Sequence, residues 1–347
     1  MRELARLLLL IALALLLQGC AATSSSRSAT QPTWAIAIHG GAGTLDKNAP
    51  AAEREGYTRS LAAALRIGSD ELARGGTALD AVQKVVQALE EDPLFNAGKG
   101  AVFTYDGTHE LDASIMDGTT LRCGGVAGVK TVRSPIGLAR LVMDKSPHVL
   151  LMGDGAEQFA TAMGVERVEN SYFDTPKRRE QWKARRDEID RAERSGHAAI
   201  PSDPRSTYGT VGAVALDSQG RLAAATSTGG LTCKRWGRVG DSPIIGAGTY
   251  ADANCAVSCT GTGEEFIRHG VTRQIALRME LKDESAQAAA DHVVHHVLKP
   301  DDGGVIVVSR TGQIATPFNS DGMFRGAATS SGRFDIAIWE DSEQVKP

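Results

Sequence analysis

The sequence predicts an α+β fold: helices packed on sheets whose strands run mainly antiparallel. Two observations carry that expectation. Apolar runs pair as hairpins across turn signals, residues 210–216 with 221–226 around Asp217-Ser-Gln-Gly220, and 101–105 with 109–116 around Asp106-Gly107. Strands are followed by two helices, 264–279 and 285–298, and then by strands again at 304–309 and 314–318. Hairpins of this kind argue against a purely parallel doubly wound sheet and for a sheet-and-helix sandwich.

Taken in order, residues 34–39 form a short apolar strand ending in Gly40-Gly41-Ala42-Gly43. Residues 53–74 and 78–91 read as helices, with Gly75-Gly76 as the stop between them and Thr77 and Asp80 opening the second. Asp92-Pro93 ends it. Residues 124–130 make a small-residue strand, 135–145 a helix, and 149–152 a strand. Residues 177–194 are dense in Arg, Lys and Glu without a continuous apolar face. A Pro/Ser/Gly-rich stretch follows to Tyr208, so 177–209 reads as a solvated helix running into an exposed linker.

The chain has 347 residues, 42% hydrophobic and 23% charged, which is ordinary globular composition. A net charge of -4 and only 5% aromatic residues argue against a nucleic-acid partner. At the N-terminus, Arg2 and Arg6 precede an apolar run from Leu7 to Leu17, then Gln18-Gly19-Cys20. This reads as an export signal over residues 1–19, too short to span a bilayer comfortably. Leu17-Gln18-Gly19-Cys20 resembles the bacterial lipobox, whose Cys is lipidated, so Cys20 is the expected lipidation site. Residues 20–33 are then a flexible tether, and the expected location is the bacterial envelope, as a periplasmic or outer-membrane lipoprotein. The other reading of these residues is an ordinary signal cleaved nearby. Cys123, Cys233, Cys255 and Cys259 match no disulfide or zinc spacing and are expected as buried or free thiols.

Several tempting motifs lose to plainer readings. Gly246-Ala-Gly-Thr-Tyr-Ala251 matches a dinucleotide fingerprint, but Asp252-Ala-Asn254 breaks the helix that should open there. His39-Gly40-Gly41 resembles an esterase oxyanion loop, yet no G-x-S-x-G elbow accompanies it. His292, His295 and His296 lack the Glu of an H-E-x-x-H metal site. More informative are three threonine clusters, Gly209-Thr210, Thr226-Ser-Thr228-Gly-Gly and Cys259-Thr260-Gly261-Thr262-Gly263, with Arg238-Val239-Gly240-Asp241 between the last two. Together they offer a nucleophile, hydroxyl and amide donors, and two opposite charges, the set an amide hydrolase needs. If the Gly209–Thr210 bond is cut, the new α-amine, with a pKa near ~8, can serve as the base for its own hydroxyl. Gly209, without a side chain, lets the backbone adopt the geometry that attack requires.

GTVGAVALD, ATSTGG, GRVGDSP and SCTGTGE stand in order between Gly209 and Glu264, after AIHGGAG, LDAV, EEDPLFNAGKGAVFT and HELDASIMDG. From Trp34 to the last strands the chain resembles the isoaspartyl peptidase/plant-type L-asparaginase family of N-terminal-nucleophile hydrolases. The resemblance implies a four-layer αββα sandwich, autocleaved into an α subunit (34–209) and a β subunit (210–347), assembled as a dimer of such heterodimers. It implies Thr210 as nucleophile and Thr228 as the hydroxyl that tunes it. Arg238 and Asp241 match the pair that takes the substrate's α-carboxylate and α-ammonium, along a segment that includes Val239 and Gly240. Thr260 and Gly261 match the oxyanion hole, with Thr262 and Gly263 shaping the pocket and Asn96 assisting. The loop from Leu89 to Lys99 matches a structural sodium site built from backbone carbonyls, here those of Leu89, Glu90, Asp92, Phe95, Ala97 and Lys99. Catalysis needs no cofactor. The implied substrates are asparagine and β-aspartyl dipeptides. Two alternatives stand beside this: a glycosylasparaginase-type amide hydrolase, and a non-catalytic envelope lipoprotein on the same fold.

Overall fold

A computed structural model describes residues 33–43, 45, 48–196, 209–339 and 342–344. The expected signal, most of the tether and Cys20 lie outside the described residues, as does 197–208 of the expected linker. The first strand is β1 (Ala35–Ala42), followed by helices α1 (Ala51–Ala73) and α2 (Ala78–Glu91). Next come β2 (Leu111–Asp117), β3 (Cys123–Val129), α3 (Pro135–Lys145), β4 (Leu150–Met152), α4 (Gly153–Ala162) and α5 (Pro176–Arg194). The C-terminal half contributes β5 (Val211–Leu216), β6 (Leu222–Thr228), β7 (Thr249–Ala251) and β8 (Cys255–Gly261). Helices α6 (Gly263–His269), α7 (Val271–Lys282) and α8 (Ala286–His292) precede β9 (Gly303–Ser309), β10 (Ile314–Ala315), β11 (Met323–Thr329), β12 (Phe334–Ala337) and β13 (Ser342–Gln344).

Two sheets form. One has nine strands in the order β13-β12-β11-β1-β5-β6-β2-β3-β4, the other four in the order β10-β9-β8-β7. Among the described residues the named strands pair antiparallel except β3 with β4. Successive side chains on a strand point to opposite faces, and the small apolar residues use that alternation. Ile36, Ile38, Ala213, Ala215, Ala223 and Ala225 join Leu61, Leu65, Val82 and Val85 of α1 and α2 in one core. Ala35, Ala37, Val214, Leu216 and Ala224 face Ala256, Ile306 and Val308 of the smaller sheet in a second. Val257, Val305 and Val307 pack on α7 and α8 in a third. Three cores between helices, sheet, sheet and helices give the αββα sandwich.

Helix starts follow local chemistry. Thr77 caps α2 by accepting from Asp80 N at 3.0 Å, and Ser134 and Thr175 cap α3 and α5, each with Pro at the first helical position.

Three expectations need correction. Residues 101–105 are not a strand: Thr104 closes a turn with Thr108, and β2 pairs with β3 and β6 instead. The expected helix 264–279 breaks at Gly270, whose φ of 54° starts α7 afresh. Residues 177–194 do form a helix, but not a freely solvated one. Its Arg178 and Ile189 are buried, and Trp182 sits 5.6 Å from the ring of Phe103. The four remaining cysteines are free thiols, three of them buried.

Candidate active site

The strand alternation that builds the inter-sheet core also places the chemistry. On β5 and β6, Gly212, Thr226 and Thr228 continue the face that carries Val214, Leu216, Leu222 and Ala224 between the sheets, and Thr210, immediately before β5, extends it. Because Val211 pairs with Ser227, the register extends to bring Thr210 opposite Thr228. The Thr210 hydroxyl donates to Thr228 Oγ1 at 3.1 Å, and Thr228 Oγ1 also accepts from Gly230 N at 3.0 Å. Both threonines are buried.

His39, on the same face of β1, holds the other end of Thr210. Its Nδ1 lies 2.8 Å from the Thr210 carbonyl oxygen, which can only accept, so the ring proton sits on Nδ1. Burial pulls the His39 pKa down from 6.5 to about 4, keeping the ring neutral at pH 7. Nε2 must then accept, and the Ser258 hydroxyl supplies the proton at 2.7 Å. Behind Ser258 a chain of buried hydroxyls continues through Thr226 at 2.7 Å and Thr249 at 2.6 Å to Ser114 at 2.8 Å. Each buried polar group is satisfied by its neighbour, so the row is rigid. Gly212 makes room for it, because a side chain there would collide with Ser258 Oγ and His39 Nε2. None of these roles was legible in the sequence, where His39 showed only as part of an esterase-like string.

Thr260, on β8, accepts from Ala42 N at 2.9 Å, which leaves its own proton for an oxygen in the site. Gly261 follows with φ 149°. Asn96 ties the loop after α2 to the turn after β6: its Nδ2 donates to Gly230 O at 2.8 Å, and its Oδ1 accepts from Val102 N at 2.9 Å. Its amide therefore shapes the Thr228–Gly230 turn.

Arg238 and Asp241 converge on Gly263. A side chain at Gly263 would lie 2.8 Å from Arg238 Nη2 and 3.0 Å from Asp241 Oδ1, so the glycine keeps that space open between two opposite charges. A side chain at Gly230 would meet Arg238 Nη1 at 3.4 Å, which links the charged pair to the turn that holds Thr228. Gly240 packs beneath the guanidinium. Glu264 accepts from Arg238 Nε at 2.9 Å and Nη2 at 2.8 Å and fixes the plane of the fork. Asp241 is buried and its Oδ2 has no partner among the described residues. Burial pushes its pKa up from 3.8 to about 7. Val239 lies between the two charged residues, and Thr262 occupies the N-cap of α6. Below the site, Lys234 is buried 4.0 Å from Asp112 and donates to Glu110 O at 2.8 Å.

In the loop after α2, the carbonyls of Leu89, Glu90 and Asp92 accept from Asp92, Lys99 and Phe95 N–H groups. A side chain at Gly100 would lie 2.6 Å from Pro93 O and 2.7 Å from Phe95 O, and one at Gly98 would collide with Glu90 O, so of the six expected carbonyls those of Phe95 and Glu90 each face a glycine that leaves room beside them. The donors are all oxygen, the type a hard cation takes.

A threonine following a glycine at the head of a central strand, a second threonine hydroxyl against it, and an αββα sandwich define an N-terminal-nucleophile hydrolase. Residues 32–338 match the family model described as asparaginase, and the chain belongs to that family. It is 51% identical over 294 residues to the isoaspartyl peptidase of Escherichia coli K12, covering 84% of this chain and 91% of that one. Identity to the isoaspartyl peptidase/L-asparaginase of Homo sapiens is 40% over 314 residues, 89% of this chain and 97% of the relative. The plant-type L-asparaginase of Pyrococcus furiosus is 41% identical over 296 residues, 83% and 94% of the two chains.

Proposed function

We propose that this protein is an isoaspartyl dipeptidase with L-asparaginase activity, matured by its own cleavage of the Gly209–Thr210 bond. The observation that carries this reading is the Thr210–Thr228 hydroxyl contact, joined through the Gly230 turn to the oppositely charged pair around Gly263. In maturation the Thr210 hydroxyl adds to the Gly209 carbonyl carbon, the C–N bond breaks, and the hydroxyl proton passes to the leaving nitrogen. Water then opens the ester, leaving a Gly209 carboxylate and the Thr210 hydroxyl. The freed amine is the base that activates that hydroxyl.

In turnover, Arg238 takes the substrate α-carboxylate and Asp241 the α-ammonium, which supplies the missing partner of its Oδ2. This anchors the β-carbonyl over Thr210 Oγ1. The Thr260 hydroxyl and the Gly261 N–H stabilise the oxyanion. The amine or ammonia leaves with the proton, and water hydrolyses the aspartyl ester to aspartate. His39 keeps the Thr210 main chain in place throughout.

A denaturing gel and N-terminal sequencing test maturation. The wild type should give a fragment reading Thr-Val-Gly-Ala-Val, roughly 14–15 kDa by length, and Thr210→Ala a single uncut, inactive chain. An active enzyme that remains one chain would overturn the reading. Comparing β-Asp-Leu, L-asparagine and an N-glycosyl-asparagine as substrates separates this activity from a glycosylasparaginase; no turnover of any would favour a non-catalytic protein.

The remaining expectations join the proposal. The cleaved subunits stay together as a heterodimer that pairs with a second copy. Residues 89–99 hold a sodium-class cation whose chemistry is structural, so removing sodium should lower the melting temperature. Lipid on Cys20 tethers the enzyme to the bacterial envelope, and Cys20→Ser should move it from the membrane to the soluble fraction.

A further inference from the structure

The third residue of α5, Arg178, turns inward while its neighbours face ions at the surface. Lys177 pairs with Glu53 at 3.0 Å, and Arg179 with Asp174. Arg178 is buried. Its Nε donates to Gly100 O at 2.8 Å and its Nη1 to Gln181 Oε1 at 3.0 Å. Among the described residues no carboxylate pairs with it. Burial depresses its pKa, offset only in part by Tyr57. A buried cation that lacks a counter-ion is expensive to keep, so its surroundings should explain it. They do: a side chain at Gly209 would lie 3.9 Å from Arg178 Nη2, and Gly209 is itself buried against Asn96 Cβ and Gly41.

We propose that Arg178 is a positioning residue for self-cleavage, its guanidinium serving as the anion site for the Gly209 carbonyl. The inference rests on the maturation reading above. When Thr210 Oγ bonds to the Gly209 carbon, negative charge gathers on the carbonyl oxygen. The Gly209–Thr210 C–N bond then breaks, the hydroxyl proton goes to nitrogen, and water converts the ester to a carboxylate and a free hydroxyl. Negative charge is present at Gly209 in the addition step and again in the product. Arg178 keeps its protons throughout and offsets that charge where water is excluded. This gives the charged segment 177–194 a function: it carries one cation under the scissile residue, while the Lys177–Glu53, Arg179–Asp174 and Glu193–Arg235 pairs tie the helix to its neighbours.

The test follows cleavage of full-length chains made by cell-free synthesis, sampled over time on a denaturing gel. Arg178→Ala should cleave at least ten-fold more slowly than wild type. Arg178→Lys should recover most of that loss, because it restores charge without the fork that binds Gly100 and Gln181. Guanidinium ion at a non-denaturing concentration should accelerate Arg178→Ala, and sodium chloride of equal strength should not. Wild-type speed in Arg178→Ala would overturn the proposal. So would an Arg178→Lys chain that is as slow as Arg178→Ala, since that marks a packing role. If Arg178→Ala does not fold, the lysine variant decides alone. A wild-type chain that never cleaves is a different failure, that of the maturation reading itself.

Discussion

His39 Nδ1 donates to the main-chain carbonyl of Thr210 across 2.8 Å, so the residue that carries the nucleophile is held from β1 as well as from its own strand. Two partners depend on the ring, the Thr210 carbonyl and the Ser258 hydroxyl. His39→Ala should leave the Thr210 carbonyl without the ring proton, at about 1–3 kcal/mol for a buried group left unsatisfied, and the Ser258 hydroxyl with Thr226 as its remaining partner. The expected outcome is a lower melting temperature and a turnover number reduced by roughly ten-fold or more. A thermal melt beside steady-state kinetics reads both, and a variant unchanged in either would remove His39 from this role.

Arg238→Lys asks whether the fork or only the charge matters. Lysine keeps the positive charge but cannot bind Glu264 through two parallel hydrogen bonds or present a flat edge to a carboxylate. Losing one partner of a buried charged contact costs about 2–5 kcal/mol. A kcat/KM for β-Asp-Leu lower by one to three orders of magnitude is expected. Near wild-type efficiency would mean that charge alone suffices.

Asp241 predicts an acid limb. Burial raises its pKa to about 7, and only the ionised carboxylate attracts an ammonium group. As pH falls through 7 the group protonates and substrate capture weakens. The profile of kcat/KM, which reports the free enzyme, should therefore drop about ten-fold per pH unit well below 7. His39, held at about 4, plays no part in that limb. A flat profile from pH 5 to 8 would show that Asp241 stays ionised.

Glu90 predicts a pH dependence of stability instead. Its carboxyl accepts from Ser227, Ser134 and Ile136 in the core, yet burial outweighs these donors and raises its pKa from 4.5 to about 7. A raised carboxyl stabilises the fold fully below pH 4.5, where both states are protonated. That contribution is lost as pH rises to 7, by roughly 3 kcal/mol. Denaturant titrations from pH 4.5 to 8 should show the decline, and Glu90→Gln should flatten it. An equal slope in the variant would place the dependence elsewhere.

Much of this molecule can be read from its letters. Helix 78–91 was delimited by Thr77 and Asp92-Pro93 because capping and proline stops are local chemistry, and the same holds for Ser134-Pro135. The order of Thr210, Thr228, Arg238, Asp241 and Thr260 also marked a family. What tertiary structure alone decided is which faces meet. The alternation on β1, β5, β6 and β8 puts His39, Thr210, Thr228 and Thr260 between two sheets, but strand order and register arise from pairings across 171 and 218 residues of chain, which no window of sequence contains. The same reason hid Arg178. In the sequence it is one cation among many in a charged run, and only the docking of α5 turns it inward beside Gly209. Local propensity sets elements and their ends; long-range packing and the cost of burying charge choose which of their side chains do chemistry.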